Sequence, residues 1–160
     1  MASEVQKLVW YTGLADELPL FNQPLDTFKQ FIVQKNLVLP ADKPNIEQII
    51  QVDSRVIITS KRFIQTPIAT SLEEQRLTGW KLVVEGQIKL KVKYVADIAT
   101  QNVHGAHFNV PFSIFIVLPP DFEEETLVDV ESYVEAIYAQ PLGKRKIFYN
   151  ASMLLLSINR

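Results

Sequence analysis

Cysteine is absent from the 160 residues. Disulfides, thiolate nucleophiles and Cys-based zinc sites are thereby excluded together, and any toughness has to come from side-chain contacts and hydrogen bonds. Glycine is scarce: the five residues at 13, 79, 86, 105 and 143 are too scattered to build a loop that cradles phosphate with its amides. P-loops, G-x-G-x-x-G turns and G-x-S-x-G nucleophile elbows are missing as well. Neither charge dominates. A net charge of −2 and a pI near 5.7 leave no basic excess for binding nucleic acid by counterion release. The longest apolar runs reach about four to six residues, which is far short of a membrane span. The opening MASEVQKLVW lacks the basic-then-apolar layout of a secretion signal. The chain is therefore expected to be made and kept inside a cell, or in something a cell encloses.

What is present is strand pattern. In 80–94 (WKLVVEGQIKLKVKY) the even positions are Trp80, Leu82, Val84, Gly86, Ile88, Leu90, Val92 and Tyr94, and the odd ones are polar except for Val83. Successive strand side chains point to opposite sides, so this alternation predicts one buried and one wet face. At about 3.3 Å per residue the run spans on the order of 50 Å and has to bend, with Gly86 the expected kink or bulge. Lys81, Lys89, Lys91 and Lys93 fill the wet face, where charge guards a long sheet against random pairing. The segment 106–118 repeats the pattern through Ala106, Phe108, Val110, Phe112, Ile114, Ile116 and Leu118, and Pro111 within it predicts an edge or a bulge.

Around these two strands the rest is read more coarsely. Residues 1–27 form an N-terminal arm and connector. Ser3-x-x-Gln6 with Val5, Leu8, Val9 and Gly13 fits a short capped helix and also an extended arm, and the β-rich remainder favours the arm. Residues 28–160 form a single β domain. A strand is expected over 27–39. A short helix is expected near 43–50, with Asp42 as cap, Pro44 in its first turn and Ile46, Ile49 and Ile50 on its apolar side. Residues 52–68 read as a strand pair turning at 60–62, and 122–125 as an acidic loop. Residues 126–139 alternate through Val128, Val130, Val134, Ala136 and Tyr138, and 144–158 make the last strand. The fold class is all-β, an antiparallel β-sandwich or flattened barrel.

No catalytic, cofactor-binding or metal-binding residue is nominated, and the chain reads as a non-enzyme. His104 and His107 are three apart, so in a strand they face opposite ways and share an ion only across a bulge. Carboxylates cluster at Glu73–Glu74 and Glu123–Glu125, which reads as solvated loop, and Glu85 is expected to pair across strands with a lysine or arginine. Trp10 and Trp80 have the chemistry to stack sugars, but their strand spacing points to the core. The residues alone describe a soluble β domain without visible chemistry.

A resemblance adds to this. Lys43-Pro-Asn-Ile-Glu-Gln-Ile-Ile50, Ile58-Thr-Ser60, Thr66-Pro67, Ser71-Leu-Glu73, Gln75 and Leu77-Thr-Gly79 occur in order. They are followed by Lys81-Leu-Val-Val-Glu-Gly86, Tyr94-Val-Ala-Asp97, Val103-His-Gly-Ala-His-Phe-Asn-Val-Pro-Phe-Ser113 and Phe115-Ile-Val-Leu-Pro119. Over roughly residues 25–158 the chain resembles the SPOCS domain of spore-envelope proteins in anaerobic spore formers, including the SipL-type coat morphogenetic proteins. Asn45 stands where the family usually shows Asp, and Glu74 where it often shows Gly. SipL-type members carry an additional peptidoglycan-binding-type LysM module that these residues do not contain, so the building block is implied rather than the anchoring role. The resemblance implies a structural protein of the coat, exosporium or a spore appendage, synthesised in the mother-cell cytoplasm. The alternative is a carbohydrate- or small-ligand-binding β domain.

Two segments, 115–118 and 153–156, are apolar on both faces, so Phe115, Val117 and one of the sets Met153/Leu155 or Leu154/Leu156 need a cover. The arm with Leu8, Val9, Trp10 and Tyr11 is the candidate, within its own chain or exchanged with another copy, which makes the expected partners the chain itself and other spore-envelope proteins. Since no cofactor or metal is expected, a chelator should leave the melting temperature unchanged. A clear drop with EDTA that zinc restores would refute that expectation.

Overall fold

A computed structural model describes residues 9–19, 27–70, 72, 76–77 and 79–159. The described chain contains β1 (Trp10–Thr12), β2 (Thr27–Val38), β3 (Ile46–Gln65), β4 (Ala69–Thr70), β5 (Arg76–Leu77), β6 (Trp80–Ala96), β7 (Val103–Val117), β8 (Val128–Leu142) and β9 (Lys146–Asn159). One sheet has the order β1-β3-β6-β7, the other β2-β9-β8, and β4-β5 is a small separate ladder. Every pairing is antiparallel except β1 on β3. The two large sheets face each other as a sandwich and do not close into a barrel.

β6 is the spine, and it follows the alternation closely. All its even positions from Leu82 to Ala96 are buried, while Lys89 and Lys91 are exposed and Lys81 and Lys93 half-exposed on the other face. Register with β3 and β7 carries the same facing outward across the sheet. Ala106, Val110, Ile116 and Leu118 are buried, and Phe108, Phe112 and Ile114 partly so. β7 is an edge strand, which is where Pro111 is tolerated.

Gly86 works differently from the expected kink. β6 pairs with β7 without a register shift, and the irregularity lies opposite on β3, between Ile58 and Ser60. Gly86 pairs with Phe112, whose ring lies over it: a Cβ at 86 would come within 2.6 Å of Phe112 Cζ and 2.7 Å of the Ile57 carbonyl. The glycine makes room for the ring. Phe112 in turn meets Phe31 of the opposing sheet at 5.4 Å between centroids.

Three sequence expectations are corrected, each for a reason of register. Residues 46–50 are strand, not helix, and no helix occurs among the described residues. Register shifts between Ile46 and Gln48 and between Ile49 and Gln51 turn Ile46, Ile49 and Val52 all inward. Two bulges thus produce the three-residue spacing that a helix would show. The strand pair expected over 52–68 is instead one 20-residue strand with no turn at 60–62. Along β8, a shift between Val134 and Ala136 moves the buried face to Ile137 and Ala139 and leaves Ala136 and Tyr138 exposed.

Two apolar clusters fill the sandwich. The larger contains Ile49, Val52, Ile88, Val92, Tyr94, Ala106, Tyr149 and Met153. The smaller gathers Leu82, Val84, Ile116, Leu118, Val128 and Leu155 around Phe122. Phe122 belongs to the acidic segment read as loop, yet its ring contacts Phe63 at 4.8 Å and Trp80 at 5.5 Å.

Within the larger cluster a buried side-chain pair joins the sheets: Ser54 Oγ of β3 and Tyr149 Oη of β9 lie 3.0 Å apart. Burial pushes the Tyr149 hydroxyl above the usual tyrosine range, and the Ser54 bond pulls it partly back. A hydroxyl stranded there costs about 1–3 kcal/mol, whereas removing both partners is nearly neutral. Ser54→Ala and Tyr149→Phe should each lose stability on that scale, and the double variant should lose clearly less than their sum in urea unfolding. Additive losses would mean that the pair is not coupled.

Candidate functional site

The strap at the N-terminus starts from local chemistry. Tyr11 points inward with its register partner Val52, and its hydroxyl accepts a hydrogen bond from the Ala139 amide of β8 at 3.1 Å. Thr12 donates to Asp53 Oδ1 at 2.6 Å. Three residues later the Ala15 amide donates to the Val134 carbonyl of β8 at 2.9 Å. Between these contacts Gly13 has φ near +90°, and a Cβ there would lie 1.9 Å from the Ser54 carbonyl oxygen. Only glycine fits that turn. Residues 11–15 therefore tie the edge strand β8 of one sheet to β3 of the other. Trp10–Thr12 of the arm is extended and bends follow at 13 and 16–17, while the Ser3-x-x-Gln6 cap falls outside the described residues.

At one end of the sandwich the 40–45 loop is held by Arg145. Its Nη1 donates to the Lys43 carbonyl and to Asn45 Oδ1, both at 2.9 Å, and Nη2 donates to the Pro40 carbonyl at 2.8 Å. Next to it Lys144 Nζ meets Asp97 Oδ2 at 2.8 Å, which raises the lysine above its ordinary range through that hydrogen bond. Tyr94 donates to the Pro44 carbonyl at 2.8 Å, and burial raises its hydroxyl, with the Arg145 charge opposing. This corner uses the stretch of sequence where the motif agreement begins.

The two outer faces differ in charge. On the β3-β6-β7 face, register sets Arg55 beside Lys89, Asp53 beside Lys91, and Gln51 beside Lys93. On the β2-β9-β8 face lie Glu131, which accepts from the Tyr133 hydroxyl at 2.5 Å, and Glu135, which accepts from Gln30 Nε2 at 3.1 Å. The bond to Glu131 raises the Tyr133 hydroxyl above its usual range. Ile32 and Tyr138 are exposed on that second face.

The singled-out residues fall as follows. His107 is exposed and His104 half-buried on the opposite face of β7, stacked on Tyr94 at 6.1 Å. Their rings do not converge, and among the described residues no three His, Asp or Glu side chains gather as a metal set. Glu85 pairs with Arg62 of β3 at 3.4 Å, as expected of it. Glu123–Glu125 are exposed, and Glu73–Glu74 fall outside the described residues. Trp80 is half-buried on Phe122, but Trp10 is 68% exposed and not core. Phe115 is exposed as expected, with Lys81 Nζ 4.3 Å and Lys29 Nζ 5.3 Å from its ring centre. Met153, Leu154, Leu155 and Leu156 are all buried, so neither set is left facing water. An open hollow of about 450 Å³ lies over Gly86, lined by Thr59, Glu85, Gln87, Pro111, Phe112 and Ser113. The sequence points to an extended arm but not to its docking place: it lies on β3 and β8 rather than over Phe115, and three residues are too few for a periodicity to show that. Its one local signal is Gly13, which fits a helix end and an arm turn equally.

The molecule defined so far is an antiparallel β-sandwich whose singular features are a strap across one seam and two unlike outer faces. The family model of the SipL SPOCS domain matches residues 45–142, so the chain belongs to the SipL SPOCS-domain family. That family associates it with sporulation. Searches among curated proteins and solved structures found no match.

Gly13→Ala should release the strap without dissolving the sandwich. Amide exchange at Ala15 and Ala139 should quicken severalfold, while the β6 amides of 86–94 stay protected. Ala15 and Ala139 amides exchanging as slowly as in the parent would show that the strap is not held by this turn.

Proposed function

We propose that this chain is a non-catalytic structural protein of the bacterial endospore envelope, residing in the coat, exosporium or an appendage after synthesis in the mother-cell cytoplasm. The carrying observation is the SPOCS-domain match across 45–142. It acts by assembling with its own copies and with other envelope proteins. The strap supports this reading. Its hold consists of three residues of parallel pairing and a few hydrogen bonds, and a neighbour's strap would find the same partners on β3 and β8. Head-to-tail exchange of that kind closes a ring or runs on as a filament.

The hollow over Gly86 favours a second reading, a carbohydrate- or small-ligand-binding domain, because it combines one aromatic ring with hydroxyl and amide groups. Its openness and the engagement of Glu85 by Arg62 weigh towards the structural role.

Immunogold labelling of sporulating cells should decorate the spore envelope, and light scattering of the purified protein should find assemblies that shrink when residues 1–13 are deleted. Label confined to the vegetative cytoplasm, with a monomer at high concentration, would refute the structural reading. Saturable binding of a soluble glycan, lost on Gln87→Ala, would favour the second.

A further inference from the structure

We infer that the two outer faces of the sandwich are complementary docking surfaces for a second copy of this chain, the lysine face of one copy stacking on the acidic, apolar face of the next. This rests on the self-assembly reading above and adds to it a contact that does not involve the strap. On the lysine face, Arg55, Lys89, Lys91 and Lys93 occupy adjacent register positions of β3 and β6. Among the described residues none of the four makes a salt bridge. The one carboxylate among them, Asp53, is engaged by the Thr12 hydroxyl. The opposite face has the inverse deficit. Glu131 and Glu135 each accept from a neutral donor, Tyr133 and Gln30, and neither has a cation in salt-bridge contact.

Unpaired cations on one face and unpaired carboxylates on the other leave each copy electrostatically incomplete on both sides, in the sense that a translated copy completes. The apolar groups agree. Ile32 is 65% exposed and Tyr138 52% exposed on the acidic face. Lysine stems cover such surface while their ammonium groups reach carboxylates or tyrosine rings. Three strands of about twelve residues present roughly 600 Å² per copy, so a stack buries roughly 1,200 Å², enough for a specific contact. Because the two faces differ, the contact is heterologous and repeats from copy to copy.

The test is charge exchange between faces. Lys89→Glu, Lys91→Glu and Lys93→Glu together make a chain acidic on both faces, and Glu131→Lys with Glu135→Lys make one basic on both. At about 0.05 M salt the parent should scatter light as an assembly that becomes clearly smaller above about 0.5 M. Each exchanged chain alone should form only what strap exchange still holds, clearly smaller than the parent assembly, and an equimolar mixture should regain the parent's size, which also demonstrates that both variants are folded. Exchanged chains that assemble like the parent, or a mixture that stays at the smaller size while the parent assembles, would overturn the stacking and leave self-assembly standing. A parent that is monomeric at low salt overturns both readings, and uptake of poly-glutamate by that monomer would assign the lysine face to an acidic polymer instead.

Discussion

Everything in this molecule keys to the even-numbered face of β6. That strand is paired on both sides along nearly its whole length, and its even side chains from Leu82 to Ala96 are buried without interruption. Each buried Val, Leu or Ile contributes about 1.5–3 kcal/mol over leaving it exposed, and sliding the strand by one residue would exchange that face for the lysines. The neighbours have to match this face or lose the core. β7 matches it residue for residue. β3 manages with extra residues, using bulges to hold Ile46, Ile49 and Val52 inward against Ala96, Tyr94 and Val92. The second sheet closes the layer with Tyr149, Ala151 and Met153, and the Ser54–Tyr149 bond fixes one point of the alignment between sheets.

Period-two patterning made the fold class and most strands legible, and it failed where the backbone itself departs from period two. At 46–49 two bulges imitate helical spacing, and at Glu135 one bulge exchanges the faces of β8. The polar run 60–62 has the composition of a turn, but it lies within β3 between Ile58 and Phe63, both of which pack on the smaller cluster. Lys61 reaches from there to the Val128 carbonyl at 3.2 Å. Of the candidate features, the Glu85 ion pair and the lysine face were legible because both depend only on strand alternation. The arm's docking place and the acidic face were not: the bonds of the arm to β8 join residues more than a hundred positions apart, and the acidic face depends on a register that the β8 bulge resets.

The sandwich treats its two open sides unequally. On the side of β3 and β8, residues 11–15 cross the seam and satisfy backbone groups of the edge strand β8. On the side of β2 and β7, closure comes from side chains: Phe31 against Phe112, and Lys29 with Lys81 over Phe115. One seam is laced through the main chain and the other is held by contacts between rings and cations. An extended segment from outside would therefore meet different chemistry at each.

The pairing of β2 with β9 sets an order of events as the chain is made. Thr27 sits opposite Ser157, and their hydroxyls hydrogen-bond to each other, so β2 waits for the last of the described strands before it has a neighbour. The β3-β6-β7 ladders join consecutive segments and close much shorter loops. Synthesis therefore yields first a three-stranded sheet with a bare apolar face, while β2 trails as an unpaired strand. Of the described strands β9 is made last, and it inserts between β2 and β8, capping that face. Until it does, the nascent chain exposes on one side the surface that later becomes the interior, which puts the period of greatest vulnerability to misassembly before β9 is made.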